Sequence, residues 1–146
     1  MILDKQMLFS DAQAVTTTIV STNIMDLGPM HADNTDRDIG AGTTLRLVII
    51  TDTAAQSTAS STVTFSLETS DTATFGTATT LWASAAVAKA TLVAGYKVAD
   101  IALPRGFLKY ARVKYTVATA DLTTGAFTSF ICKDSQDNKS YANAYT

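Results

Sequence analysis

Histidine and cysteine each occur once in the 146-residue chain, as His31 and Cys132, and so does glutamate, as Glu68. A Ser-His-Asp nucleophile needs its imidazole oriented by a carboxylate and set beside an activated serine. His31 falls instead in a polar stretch from Met30 to Gly42, where a solvated loop residue is the plainer reading. Cys132 follows aromatic and aliphatic neighbours, the setting of a small buried hydrophobe. One cysteine excludes an intrachain disulfide, and one histidine leaves few ways to build a zinc site. No cofactor or metal is expected.

The aspartates raise two further possibilities. In Asp33-Asn34-Thr35-Asp36-Arg37-Asp38-Ile39-Gly40, the residues Asn34, Asp36 and Asp38 alternate like the early ligands of a calcium loop. The glycine comes one place late, Arg37 sets a cation among the ligands, and no glutamate closes the site. A solvated loop or a polar contact with a partner fits better. Glycoside hydrolysis needs two carboxylates held across a cleft, whereas Asp52, Asp71, Asp121 and Asp134 read as turn residues. Gly40-Ala41-Gly42 lacks the spacing of a phosphate loop and reads as a turn. Trp82 reads as core. If the chain bound a saccharide, Trp82, Tyr96 and Tyr110 would be the stacking candidates. Tyr141 and Tyr145 stand in an otherwise polar tail and read as anchors against another surface.

The composition names the elements that must carry these residues. Twenty-five threonines against a single glutamate are hostile to helices, because a β-branched side chain loses rotamer freedom there. Hydrophobic residues make up 47%, enough for one core, and no apolar run approaches the roughly 18 residues of a membrane-spanning helix. The net charge of -2 argues against a phosphate-backbone partner, so neither nucleic acid nor membrane is expected. Asp4, Lys5 and Gln6 interrupt the apolar start too early for a secretion signal.

Along the chain, Ala14 to Leu27 reads as one or two strands with Val15, Ile19, Ile24 and Leu27 apolar, and Gly28-Pro29 ends them. Thr43 to Asp52 is apolar on both faces at its end and is expected to be a central strand, followed by a loop from Thr53 to Ser61. In Thr62 to Glu68, Val63, Phe65 and Leu67 alternate with Thr64, Ser66 and Glu68, one face buried and one wet. Further strands are expected at 79–83, 86–92, 97–103, 107–117 and 126–133, with a firm break at Pro104-Arg105-Gly106. The count of about seven or eight strands indicates an all-β sandwich or barrel. Residues 1–13 read as an N-terminal arm or first strand, 14–133 as the sandwich, and 134–146 as a C-terminal arm.

The blocks MILDKQMLFSDAQAV (Met1 to Val15), STNIMDLG (Ser21 to Gly28), RDIGAG (Arg37 to Gly42), VTFSLETS (Val63 to Ser70), TLW (Thr80 to Trp82) and LPRGFLKYARVKYTV (Leu103 to Val117) resemble successive parts of one family. That family is the capsid cement, or decoration, proteins of tailed bacteriophages, typified by the Bordetella phage cement protein. The opening block and the Leu-Pro-Arg-Gly block are the most specific. Pro29 to Asp36 resembles an insertion and the tail after Asp134 is longer, so family contacts do not carry onto either.

The resemblance implies a jelly-roll-like antiparallel β-sandwich on the outer surface of an icosahedral virion. It would bridge neighbouring major capsid proteins, as a homodimer rather than a trimer, without catalysis. Ile2, Leu3, Met7, Leu8 and Phe9 are then expected either to anchor a neighbouring chain or to form the first strand of the protein's own sandwich. Arg37, Asp38 and Arg105 are candidate polar contacts, with an internal ion pair or solvation as the alternative. The competing readings are a carbohydrate-binding module of the virion surface or tail, and a small hydrolase, which the scarcity of His, Cys and Glu disfavours.

Overall fold

The alternation in Thr62–Ser70 puts Val63, Phe65 and Leu67 on one side, all fully buried. Tyr110–Ala118 pairs with this strand antiparallel and sets the equally buried Ala111, Val113 and Tyr115 beside them. A period of two thus builds one wall of the core from two neighbouring strands. Arg46–Gln56 and Thr124–Cys132 build the facing wall, with Leu47, Ile49, Phe127 and Ile131 in the same cluster. The structure, a computed structural model, describes residues 4–28, 39–40, 45–133 and 135.

In chain order the strands are β1 Leu8–Ala14, β2 Ile19–Val20, β3 Met25–Asp26, β4 Arg46–Gln56, β5 Thr62–Ser70, β6 Thr79–Ala83, β7 Val87–Ala88, β8 Lys97–Ala102, β9 Tyr110–Ala118 and β10 Thr124–Cys132. One sheet runs β1-β10-β4-β8 and the other β2-β9-β5-β6, with β3 beside β9 and β7 beside β5. Short β2 and β3 share one position along β9, as β6 and β7 do along β5. Each sheet therefore has four positions, in the order of a jelly roll.

Three aromatic rings fill the middle of the core. Phe65 meets Phe127 edge-on at 5.0 Å between centroids, and Tyr115 stacks on Phe127 at 5.7 Å. The Tyr115 hydroxyl crosses to the other sheet, donating to Ser10 Oγ at 2.8 Å and lying 2.8 Å from Ser129 Oγ. Burial pushes this phenol above its ordinary pKa, so it stays neutral and its polar end is satisfied inside the core.

Several sequence expectations change. The expected loop from Thr53 is the continuation of β4 to Gln56, because the backbone of Leu92 to Tyr96 lies along it and supplies bonds such as Ala55 N–H to Leu92 O. Asp52 is consequently a strand residue, not a turn residue, and accepts from Thr128 Oγ1 at 2.6 Å. The expected strand at 86–92 shrinks to Val87–Ala88. Ile19 and Ile24 are exposed, while Met25 takes the buried place beside β9. Ser66 and Glu68, expected to face water, are buried. Phe75, from the segment after β5, sits against Arg112 with its ring 4.1 Å from the guanidinium carbon, and Arg112 in turn bonds Glu68 at 2.7 Å.

From Asp4 onward the N-terminal segment joins the protein's own sandwich. A 3-10 turn at Lys5–Met7, capped by Asp4, leads into β1, which pairs with β10. Phe9 is fully buried in the main core and Met7 packs against that core. Leu8 joins a second apolar cluster with Val48, Ile50, Phe130 and Cys132. Phe9 is therefore a core residue of this chain rather than a free anchor.

Candidate functional site

The turn after β8 carries the most distinctive motif of the sequence, Leu103-Pro104-Arg105-Gly106. Proline cannot continue the ladder, and Gly106 takes φ +96, where a side chain would be strained. Leu103 and Phe107 bury themselves on either side of the turn, fixing both of its feet in the core. Leu103 N–H donates to Leu45 O at 2.9 Å. Arg105 at the tip is exposed and forms no ion pair among the described residues.

A second segment closes on the same turn. Ile39 is buried in the main core, and Gly40 lies so near the turn that a Cβ on it would come within 1.9 Å of the Pro104 carbonyl oxygen. Gly40 and Pro104, far apart in sequence, thus meet through their backbones.

Neighbouring elements brace this end. Leu27 N–H donates to Lys109 O at 2.8 Å, and Leu108 N–H donates to Thr69 Oγ1, which itself donates to Tyr110 O at 2.8 Å. Glu68 takes Arg112 on one carboxylate oxygen and Lys114, at 3.7 Å, on the other. On the outer face of the other sheet, Asp100 pairs with Arg46 at 2.6 Å and Lys97 at 3.1 Å. Burial alone would raise the Asp100 pKa. Hydrogen bonds from Ser135, Arg46 and Lys97 outweigh it and hold the carboxyl below its usual value.

The strand register shows which chain segments share this end. Arg46 pairs with Cys132 and Ala102, and Tyr110 with Ser70 and Asp26, so Gly28, Gly40, Leu45 and the feet of the 103–107 turn lie together. Lys5 before β1 and Lys133 after β10 emerge here as well. Between the 3-10 turn and β3 lies a shallow groove lined by Lys5, Gln6, Leu8, Ile24 and Asp26.

Of the expected contact residues, Arg105 stands exposed on the turn, Met7 and Leu8 are half-buried, and Phe9 is core. Ile2, Leu3, Arg37, Asp38, Tyr141 and Tyr145 lie outside the described residues, as do His31 and the calcium-like run up to Asp38. The saccharide candidates are not brought together. Trp82 packs on the core opposite Leu67, Tyr110 lies on β9 with Lys109 over its ring, and Tyr96 hydrogen-bonds Thr51 beside the other sheet. Among the described residues no three His, Cys, Asp or Glu side chains gather as metal ligands would. Gly40 reads from the sequence as part of a Gly40-Ala41-Gly42 turn and of one resemblance block, and neither reading points to its close approach to Pro104.

The family model Bbp16 matches residues 9–131, from within β1 to within β10. No curated protein matches the sequence.

Proposed function

The chain belongs to the Bbp16 family, named for a Bordetella phage protein, and on that footing we propose a structural role: it binds the outside of an icosahedral phage capsid and bridges neighbouring major capsid proteins. The observation that carries this reading is the extent of the family match, which takes in nearly the whole jelly roll rather than one motif. The meeting of Gly28, Gly40, Leu45 and the exposed Arg105 at one end of the sandwich supports it further.

The physics required is modest. A protein that binds the assembled shell better than separated subunits stabilises the shell by mass action. Repetition over the lattice multiplies each contact, so an interface of about 1,600 Å² per contact suffices, with affinity set by its central residues rather than by area. The chain acts as a homodimer in this reading, each copy gripping one side of a capsid seam. No reaction is assigned to it.

Cosedimentation with capsids assembled without this protein tests the proposal. Saturable binding at a fixed stoichiometry, with capsids that withstand higher temperature, is the expected result. Absence of binding, coupled with affinity for a saccharide on a glycan array, would replace it with the carbohydrate-binding reading.

A further inference from the structure

A Cβ added to Gly40 would lie 1.9 Å from Pro104 O, 2.7 Å from Pro104 C and 3.1 Å from Arg105 Cα. All three are backbone atoms, so no change of rotamer relieves the clash. The glycine is present for close approach, not for a left-handed φ, because only Gly28, Gly95, Gly106 and Gly125 have positive φ among the described glycines. The turn it touches is already held at Leu103 and Phe107 by the core, and a Cβ on Gly106 would meet Leu81 Cδ2 at 3.5 Å. Arg105 therefore projects from a backbone fixed on several sides.

Most of the other described cations are occupied, although Lys5 and Lys133 are also exposed. Arg46 and Lys97 share Asp100, Arg112 and Lys114 share Glu68, and Lys89 donates to Ser57 O at the far end. A guanidinium fork on a rigid turn, without a carboxylate partner among the described residues, suits a carboxylate supplied by another molecule. Fixing its backbone beforehand removes ordering cost from binding.

Building on the capsid-binding reading, we propose that Gly40 clamps the Pro104–Gly106 turn and thereby holds Arg105 as a preorganised contact for a carboxylate on the capsid surface. Gly40 is a positioning residue and Arg105 the contact.

The test compares the full-length chain with Gly40→Ala, Arg105→Ala and, as control, Gly76→Ala, whose added Cβ would meet nothing within 4 Å. Trypsin cleavage after Arg105 reads the clamp without any capsid. Gly40→Ala should accelerate this cut at least tenfold in a protein that remains folded, and Gly76→Ala should leave it unchanged. Capsid cosedimentation reads the contact, and Arg105→Ala and Gly40→Ala should each weaken binding about tenfold. A Gly40→Ala chain cut at the wild-type rate overturns the clamp. Wild-type affinity in Arg105→Ala overturns the contact.

If Gly40→Ala does not fold, trypsin cleavage of the wild-type chain after Arg105 gives a second reading. Resistance comparable to Arg112 and Lys114 in β9 supports the clamp, and cutting at the rate of an open loop overturns it. Failure of the wild-type chain itself to bind capsids overturns the contact together with its parent reading, while the cleavage rates still decide the clamp.

Discussion

At one end of the sandwich the loops at 15–18, 57–61 and 119–123 close on one another. Ser57 Oγ donates to Asp121 O, Ser61 Oγ to Ala120 O, Leu122 N–H to Thr16 O and Thr123 N–H to Gln56 O, all within 2.7–2.8 Å. Val15 and Leu122 bury their side chains beneath them. At the other end the chain finishes differently: the Leu103–Phe107 turn, Ile39–Gly40 and the flanks of both termini meet there, and Arg105 is exposed without an ion pair among the described residues. An end whose polar groups satisfy one another offers a partner little to gain, because new bonds only replace old ones. An end with fixed backbone and an unspent charge offers more. On the capsid-binding proposal, the first end serves stability and the second is the one offered to the partner.

The sharpest way to break this division is Glu68→Ala, near the binding end. It leaves the Arg112 guanidinium facing Lys114 and Phe75 without its carboxylate, and should cost on the order of 3 kcal/mol, read from urea unfolding. Because the Phe75 segment is held through Arg112, capsid binding should fall as well. Leu122→Ala, at the closed end, should remove about 2–3 kcal/mol through the cavity it leaves, yet bind capsids normally wherever it is folded. Equal losses of binding in the two variants would erase the distinction between the ends.

The smallest effect concerns acid. The folded-state pKa of Asp100 lies below its ordinary value of 3.8, so its contribution to stability is complete above that pH and disappears as pH falls through the folded value. Asp100→Asn should therefore be less stable than wild type at pH 6, with the gap closing toward pH 2. A gap that stays constant with pH would show that the carboxylate's charge is not what tethers Ser135, Arg46 and Lys97.

Much of this was legible in the sequence where a strand has one wet and one dry face. Val63, Phe65 and Leu67, the inward set from Ala111 to Tyr115, and the division of Phe127, Ser129 and Ile131 from Phe130 and Cys132 all follow a period of two. A count of about seven or eight strands was legible, close to the eight positions of the two sheets, and the jelly-roll order came from the family resemblance. Less was legible where a remote segment changes an environment. Glu68 looks wet until Phe75 and Arg112 cover it, and Asp52 to Gln56 looks like a loop until the backbone of Leu92 to Tyr96 pairs with it. The meeting of Gly40 with Pro104 lies beyond any local pattern, since a missing Cβ records a close approach without saying to what.

The most direct measurement is a reconstruction of capsids decorated with this protein, at a resolution that orients the sandwich. The expected map has the Leu103–Phe107 turn and Gly40 against the shell, with the Ser57 and Ala120 loops pointing away. Decoration through the closed end, or capsids that stay bare at saturating protein, would contradict the assignment.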